Sequence, residues 1–252
     1  MLARVRSGAL VGIDAVVVEV EVDMTLGLPY FNLVGLPEGA VRESKVRVIS
    51  ALKNCGFELP NKRITVNLAP ADIRKEGAAF ELPIALGILV SSRLIEEEPL
   101  GEYLFGGELA LDGVLKPIRG VLPLAMAAKK AGFKAVMVPS ANAEEAALVR
   151  GLEVYPVSHL REAVDHLTGL EPLAAHRSGL GVRPGRGPPP LDMGDVRGQH
   201  EVKDALELAA AGGHNLLMCG PPGSGKTMLA RRMPGILPVM GFQEAIEVTK
   251  IY

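Results

Sequence analysis

A chain of 252 residues, 48% hydrophobic and 22% charged, has the composition of a globular protein and room for two ordinary domains. Its formal net charge of −2 excludes a global electrostatic drive toward nucleic acid or membrane, so any such surface has to be local. Trp is absent and aromatics make up 4%, which leaves the core to Val, Leu, Ile and Ala.

Asp14, Glu19, Glu21 and Asp23 interrupt the first apolar run too early for a signal peptide. The longest uncharged apolar stretch, Leu82 to Ser92, is eleven residues, too short to span a bilayer. The expected location is therefore cytoplasmic, with no membrane partner. Cys55 and Cys219 lie in or beside apolar runs and read as two buried thiols of a reducing compartment. The five histidines make no metal-ligand spacing with them. His159 and His166, seven apart, would share one helical face if that segment is a helix, and they read as a surface or half-buried face rather than a ligand pair.

In chain order, residues 15–22 (AVVVEVEV) pass into strict alternation, the mark of a strand with one wet face. Phe31–Val34 is a second short strand. Glu38–Asn54 carries Val41, Val48, Ile49 and Leu52 at helical spacing and stops at Gly56. Arg63–Leu68 alternates again, and Glu81–Arg93 reads as a buried helix. Glu108–Leu111 and Val114–Lys116 flank Asp112-Gly113, which suits a hairpin with a type I′ turn. Then come a helix over Val121–Ala131, a strand over Ala135–Val138, a helix over Ala141–Arg150, a strand over Leu152–Val157 and a helix over Ser158–Leu167 capped by Ser158. This order predicts a two-layer α/β domain with a mixed sheet over residues 1–170.

Residues 171–195 hold five prolines and five glycines in twenty-five positions and have no apolar period, so they read as a linker. A second domain then begins at residue 196. His200–Ala211 is helical, Gly212-Gly213 stops it, and Asn215–Cys219 (NLLMC) reads as a buried parallel strand. A helix is expected from Met228 to Met233.

Between that strand and that helix stands Gly220-Pro221-Pro222-Gly223-Ser224-Gly225-Lys226-Thr227, a phosphate-binding loop in its required context. The glycines allow a tight turn that aims backbone N–H groups at phosphate oxygens, and the following helix end favours the same anion. Lys226 is expected to reach the β- and γ-phosphates of ATP, and the Thr227 hydroxyl to ligate Mg²⁺. Hydrolysis needs an acidic strand further on. The only acids after Lys226 are Glu244 and Glu247, and neither follows an apolar strand. The expectation is a fragment of a longer protein that binds nucleotide without hydrolysing it, so no catalytic residue is assigned.

The stretch VRGQHEVKDALELAAAGGHNLLMCGPPGSGKTMLARRMPGILP resembles the start of the AAA+ module of Mg-chelatase-like YifB/ComM proteins. GLPYFNLVGLPEGAVRESKVRV and KRITVNLAPADIRKEGAAFELPIALGIL resemble the same family. The resemblance implies a ring-forming, hexameric ATPase that acts on DNA as a branch-migration helicase. It also implies that Val196–Gln199 lie near the adenine. The first domain further resembles the Lon proteolytic domain, a ribosomal-protein-S5-domain-2-like fold. On that alignment the nucleophile position falls on Ala79 and the lysine position on Leu122, so protease chemistry is not expected. The implied fold class is thus α/β: an S5-like first domain over 1–170, a linker over 171–195, and a truncated AAA+ module over 196–252.

Residues 41–75 hold eight basic side chains (Arg42, Lys45, Arg47, Lys53, Lys62, Arg63, Arg74, Lys75) against three acidic ones. A local excess of five positive charges suits a DNA backbone. Phe57 is the one aromatic within that segment for stacking on bases. Arg177, Arg183 and Arg186 of the linker form a weaker second candidate. Two other readings remain: a non-catalytic module that binds DNA or a protein partner, and a Mg-chelatase-type metal-insertion subunit.

Overall fold

The computed structural model describes residues 2–178 and 191–251. They fall into two compact units, one within Met1–Leu180 and the other within Gly181–Lys250.

The first unit opens with a long hairpin, β1 (Leu2–Val11) and β2 (Asp14–Thr25), turned at Gly12 with φ 63°. Alternation in β2 buries Val18, Val20, Val22 and Met24. It leaves Glu19 and Glu21 on the other face, where Arg4 and Arg6 of β1 pair with them. Next come β3 (Tyr30–Val34), α1 (Gly39–Asn54) and β4 (Arg63–Ala69). The sheet order is β1-β2-β4-β3, with β3 parallel to β4 and the other pairs antiparallel. β3 is therefore an edge strand with α1 beside it.

Every residue of α2 (Glu81–Ser91) is buried, as expected of a helix apolar all round. At Gly87 a Cβ would meet the Val22 side chain at 2.6 Å, so glycine sets how closely α2 approaches β2. β5 (Tyr103–Phe105) follows, then the ribbon of β6 (Glu108–Leu109) and β7 (Leu115–Lys116). α3 (Val121–Lys130) ends in a Schellman motif: Gly132 N–H donates to Lys129 O and Phe133 N–H to Ala128 O. β8 (Ala135–Pro139), α4 (Ala143–Ala146), β9 (Glu153–Val157) and α5 (Leu160–Leu167) complete the unit. β5, β8 and β9 form a separate, parallel sheet. The buried Ser7 hydroxyl of β1 donates to Phe105 O of β5 at 2.9 Å and joins the two sheets.

The α/β class stands, but the expected single mixed sheet is two sheets and a ribbon. The helix expected over Ala141–Arg150 shortens to a 3₁₀ turn and α4. The cap of α5 is His159, whose Nδ1 accepts from Arg161 N–H, rather than Ser158. In the β6–β7 turn, Gly113 has φ 90° and Asp112 does not share a positive φ. Gly113 N–H donates to Ala110 O, so a four-residue turn with one left-handed glycine replaces type I′.

Part of the segment read as linker is bonded into the first unit. Leu173 N–H donates to His166, His176 pairs with Val154, and Ser178 bonds to Glu144. Linker residues 179–190, with Arg183 and Arg186, lie outside the described residues.

The second unit has α6 (His200–Gly212), α7 (Lys226–Ala230) and α8 (Phe242–Thr249). Its small core gathers Met193, Val196, Leu206 and Leu229. Asn215–Cys219 is not a strand. A parallel strand needs a neighbour to bond with, and no strand occurs among the described residues 191–251. Leu217 is consequently 88% exposed, and Cys219 is an exposed thiol rather than the buried one expected. Among the described residues, no helix is long and apolar enough to cross a membrane.

Candidate functional site

The Gly-rich loop follows the irregular run 215–219 and leaves into α7. Gly223 and Gly225 have φ 84° and 87°, values that only glycine adopts without strain. Gly225 caps α7, which begins at Lys226 and is five residues long. A helix this short adds little macrodipole, so the anion chemistry rests on loop N–H groups and the lysine.

The Lys226 ammonium bends back over the loop. Its Nζ donates to Gly220 O at 2.8 Å, Pro221 O at 2.9 Å and Ser224 Oγ at 3.2 Å. A Cβ at Gly220 would come within 3.1 Å of Ser224 Oγ and 4.0 Å of Lys226 Nζ. Glycine thus leaves the Ser224 hydroxyl uncrowded beside the amine, and an ammonium ringed by loop oxygens is chemistry that fits phosphate. Thr227 follows on the exposed first turn of α7.

A cleft of about 390 Å³ adjoins the loop. Gln199, Val202 and Leu216 line it together with Gly220, Ser224 and Lys226. Of the expected adenine-side residues, Gln199 reaches the cleft with φ 58°, whereas Val196 is buried in the core. Pro222 and Gly223 are exposed. Glu244 and Glu247 lie on α8, where Glu244 accepts from Gly241 N–H. Among the described residues, no three His, Cys, Asp or Glu converge on a metal position. A cation here would take Thr227, phosphate oxygens and water, a donor set that suits Mg²⁺.

In the first unit, Ala79 and Leu122 occupy the positions where the Lon alignment puts the dyad. Ala79 O accepts from Gly107 N–H, and Leu122 is buried with its N–H on Glu145. Neither side chain has a nucleophile or a base.

The eight basic residues of 41–75 divide. Arg47 is bound to the buried Glu81, Arg74 to Glu38 and Arg42 to Pro37 O. Lys75 is buried and donates to Pro70 O, and desolvation pushes its ammonium down from the ordinary value. Lys45, Lys53, Lys62 and Arg63 instead gather near the β3 edge. The aromatics beside them are Tyr30 and Phe31, which the segment boundaries left out.

Residues 20–142 match the family model described as subunit ChlI of Mg-chelatase, and residues 192–252 match magnesium chelatase, subunit ChlI. The competence protein ComM of Haemophilus influenzae is 46% identical over 252 residues, covering 99% of this chain and 49% of the relative. The uncharacterized protein YifB of Escherichia coli is 42% identical over 250 residues, covering 99% and 49%. The chain belongs to the Mg-chelatase-like ComM/YifB family. It spans about half the length of the ComM and YifB proteins it matches. Lon protease 2 of Bacillus subtilis is 31% identical over 123 residues, 48% of this chain and 21% of that protein, in keeping with the α/β first unit of this ComM/YifB relative.

Proposed function

We propose that Gly220–Thr227 binds the phosphates of ATP with Mg²⁺, and that this chain is part of a ring-forming AAA+ ATPase that acts on DNA. The observation that carries the nucleotide reading is the Lys226 ammonium, held over the Gly-rich loop by three loop oxygens. The bonds of the ammonium to these neutral oxygens are already charge-assisted, and exchanging them for anionic phosphate oxygens adds the attraction of opposite charges. Loop N–H groups orient the phosphates, and Thr227 offers its hydroxyl to the cation. Mg²⁺ would neutralise phosphate charge. Glu201 also lines the cleft, and the chemistry proposed for this chain is binding and orientation.

Titration with a fluorescent ATP analogue tests the reading. Lys226→Ala removes bonds to a charged group, worth about 1.5–3 kcal/mol, so affinity is expected to fall about 10- to 150-fold. Equal affinity in both proteins would sink the assignment.

The DNA part of the reading is supported by membership of a family that includes a competence protein, and by the four cations near β3. A second reading, a nucleotide-silent binding module, is favoured by the exposed run 215–219 beside the loop. The same titration separates them, because a silent module gives no saturable signal. For the metal-insertion alternative, the discriminating measurement is whether DNA changes nucleotide affinity: coupling supports the DNA motor.

A further inference from the structure

A second cavity, of about 240 Å³, lies in the first unit between the β3 edge and α1. Its volume is below the range of about 300–1,000 Å³ typical of drug-sized ligands, and suits one planar ring. Lys45, Ile49 and Lys53 stand at i, i+4 and i+8 on α1, so one helix stripe supplies two ammonium groups with an apolar side chain between them. Ile49, Leu59 and Ile64 give the cavity an apolar lining. Lys62 and Asn61 close it on the β4 side, and no Asp or Glu lines it.

Two aromatic rings complete it. Tyr30, 54% exposed, carries the Arg63 guanidinium 5.5 Å from its ring centroid. Phe31 lies beneath Lys45 Nζ at 5.9 Å. An exposed ring with a cation on its face, next to an apolar slot rimmed by ammonium groups, is a stacking platform beside a phosphate track. A rigid duplex keeps its bases stacked inside and cannot enter such a slot, whereas a single strand can splay one out.

We propose that this cavity docks single-stranded DNA, one base stacking at Tyr30 with flanking phosphates on Lys45, Lys53 and Lys62. The proposal deepens the DNA part of the reading above. It does not depend on the nucleotide loop, because every contributing residue belongs to the first unit.

Fluorescence anisotropy of a labelled oligothymidylate, with the full chain and no nucleotide, tests it. Tyr30→Ala is expected to weaken binding about 5- to 150-fold, the loss of one stacked base at about 1–3 kcal/mol. Tyr30→Phe keeps the ring and should retain affinity within a few-fold, which separates stacking from misfolding. Combined Lys45→Gln, Lys53→Gln and Lys62→Gln should reduce the slope of log K against log salt by about 2, at about 0.7 per phosphate contact.

A wild-type chain that binds no oligothymidylate overturns the proposal, and one that binds neither oligothymidylate nor duplex overturns the DNA reading with it. Binding that is indifferent to Tyr30→Ala and to the triple substitution overturns the pocket and leaves the reading standing. A duplex that competes as well as the single strand, oligouridylate that binds more tightly, or displacement by polyglutamate at equal charge would each overturn the choice of single-stranded DNA. The last result would point to an acidic protein partner.

Discussion

Glu81 opens α2 with no exposed surface, and both of its oxygens are occupied. Arg47 holds Oε1 at 2.6 Å, and Leu109 N–H donates to Oε2 at 2.7 Å. Burial pushes the carboxyl above its ordinary value, against the opposing pull of Arg47 and Leu109. The same bond to Glu81 raises the Arg47 guanidinium. Removing the arginine while keeping the carboxylate leaves a buried charge alone, so Arg47→Leu should cost about 3–5 kcal/mol at neutral pH by chemical denaturation. The pH dependence has a definite sign. A carboxyl whose folded pKa is raised favours folding below its unfolded value, near 4.5, and loses that contribution as pH rises through the folded value. Arg47→Leu raises the folded value further, so its deficit relative to the wild type should grow as pH rises past the wild-type folded value, which itself lies above 4.5. Adding Glu81→Gln should flatten the profile. A deficit that stays constant with pH would show that Arg47 acts by packing alone.

At the scale of elements, the segment after α5 is held by a histidine that works only when neutral. His166 Nδ1 accepts from Leu173 N–H at 2.9 Å, and its Nε2 lies 3.0 Å from the Tyr103 hydroxyl. Burial lowers the imidazole's pKa and pushes the Tyr103 phenol up to about 12, so both stay neutral near pH 7. A protonated Nδ1 would face the Leu173 N–H donor to donor. The clamp is thus complete above about pH 6.5 and is lost as pH falls through the lowered folded value. Amide exchange at Leu173, corrected for its intrinsic rate, should therefore accelerate on acidification, while amides in α2 stay protected. His176 and Ser178 bind Glu144 separately and do not use this ring. No change at Leu173 would refute the assigned tautomer.

The elements also show what a sequence reveals. α1, α2, α3 and α6 were legible because each pairs a 3.6-residue period with a glycine stop or an unbroken apolar run. β2 and β4 were legible through strict alternation. β5 was missed because three residues carry no period, and β1 because its buried face of Ala3, Val5, Ser7 and Ala9 is too small and polar to stand out. NLLMC is apolar enough for a buried strand, but pairing depends on partners that a local pattern does not contain. The Gly-rich loop could be singled out as a candidate because its residues are eight in a row. The β3 pocket could not, since Tyr30, Lys45 and Lys62 meet only after β3 and α1 pack together.

For the whole molecule, the two units have unequal means. The first has a large core that spans its sheets and helices, whereas the core cluster among the described residues of the second joins four buried side chains. Below about 70–80 residues, a single core rarely supplies more than about 3–5 kcal/mol. Nucleotide should therefore be felt mainly by the second unit. Saturation at 100 times Kd adds about 2.7 kcal/mol to whatever binds it. Scanning calorimetry with Mg²⁺ and ATP should move the transition of the second unit upward and leave that of the first in place. A shift of both together would show that the chain unfolds as one cooperative block.

The run 215–219 governs how this chain behaves in a test tube. Its backbone makes no ladder bonds, Leu217 stands 88% exposed, and the Cys219 thiol is open to oxidant. Such a run is an adhesive: two copies can satisfy each other's amides edge to edge, and an oxidised thiol can then lock the pair covalently. Light scattering that rises with protein concentration and with storage under air would be the mark of this segment, and its remedy is a reductant with dilution rather than a change of buffer salt.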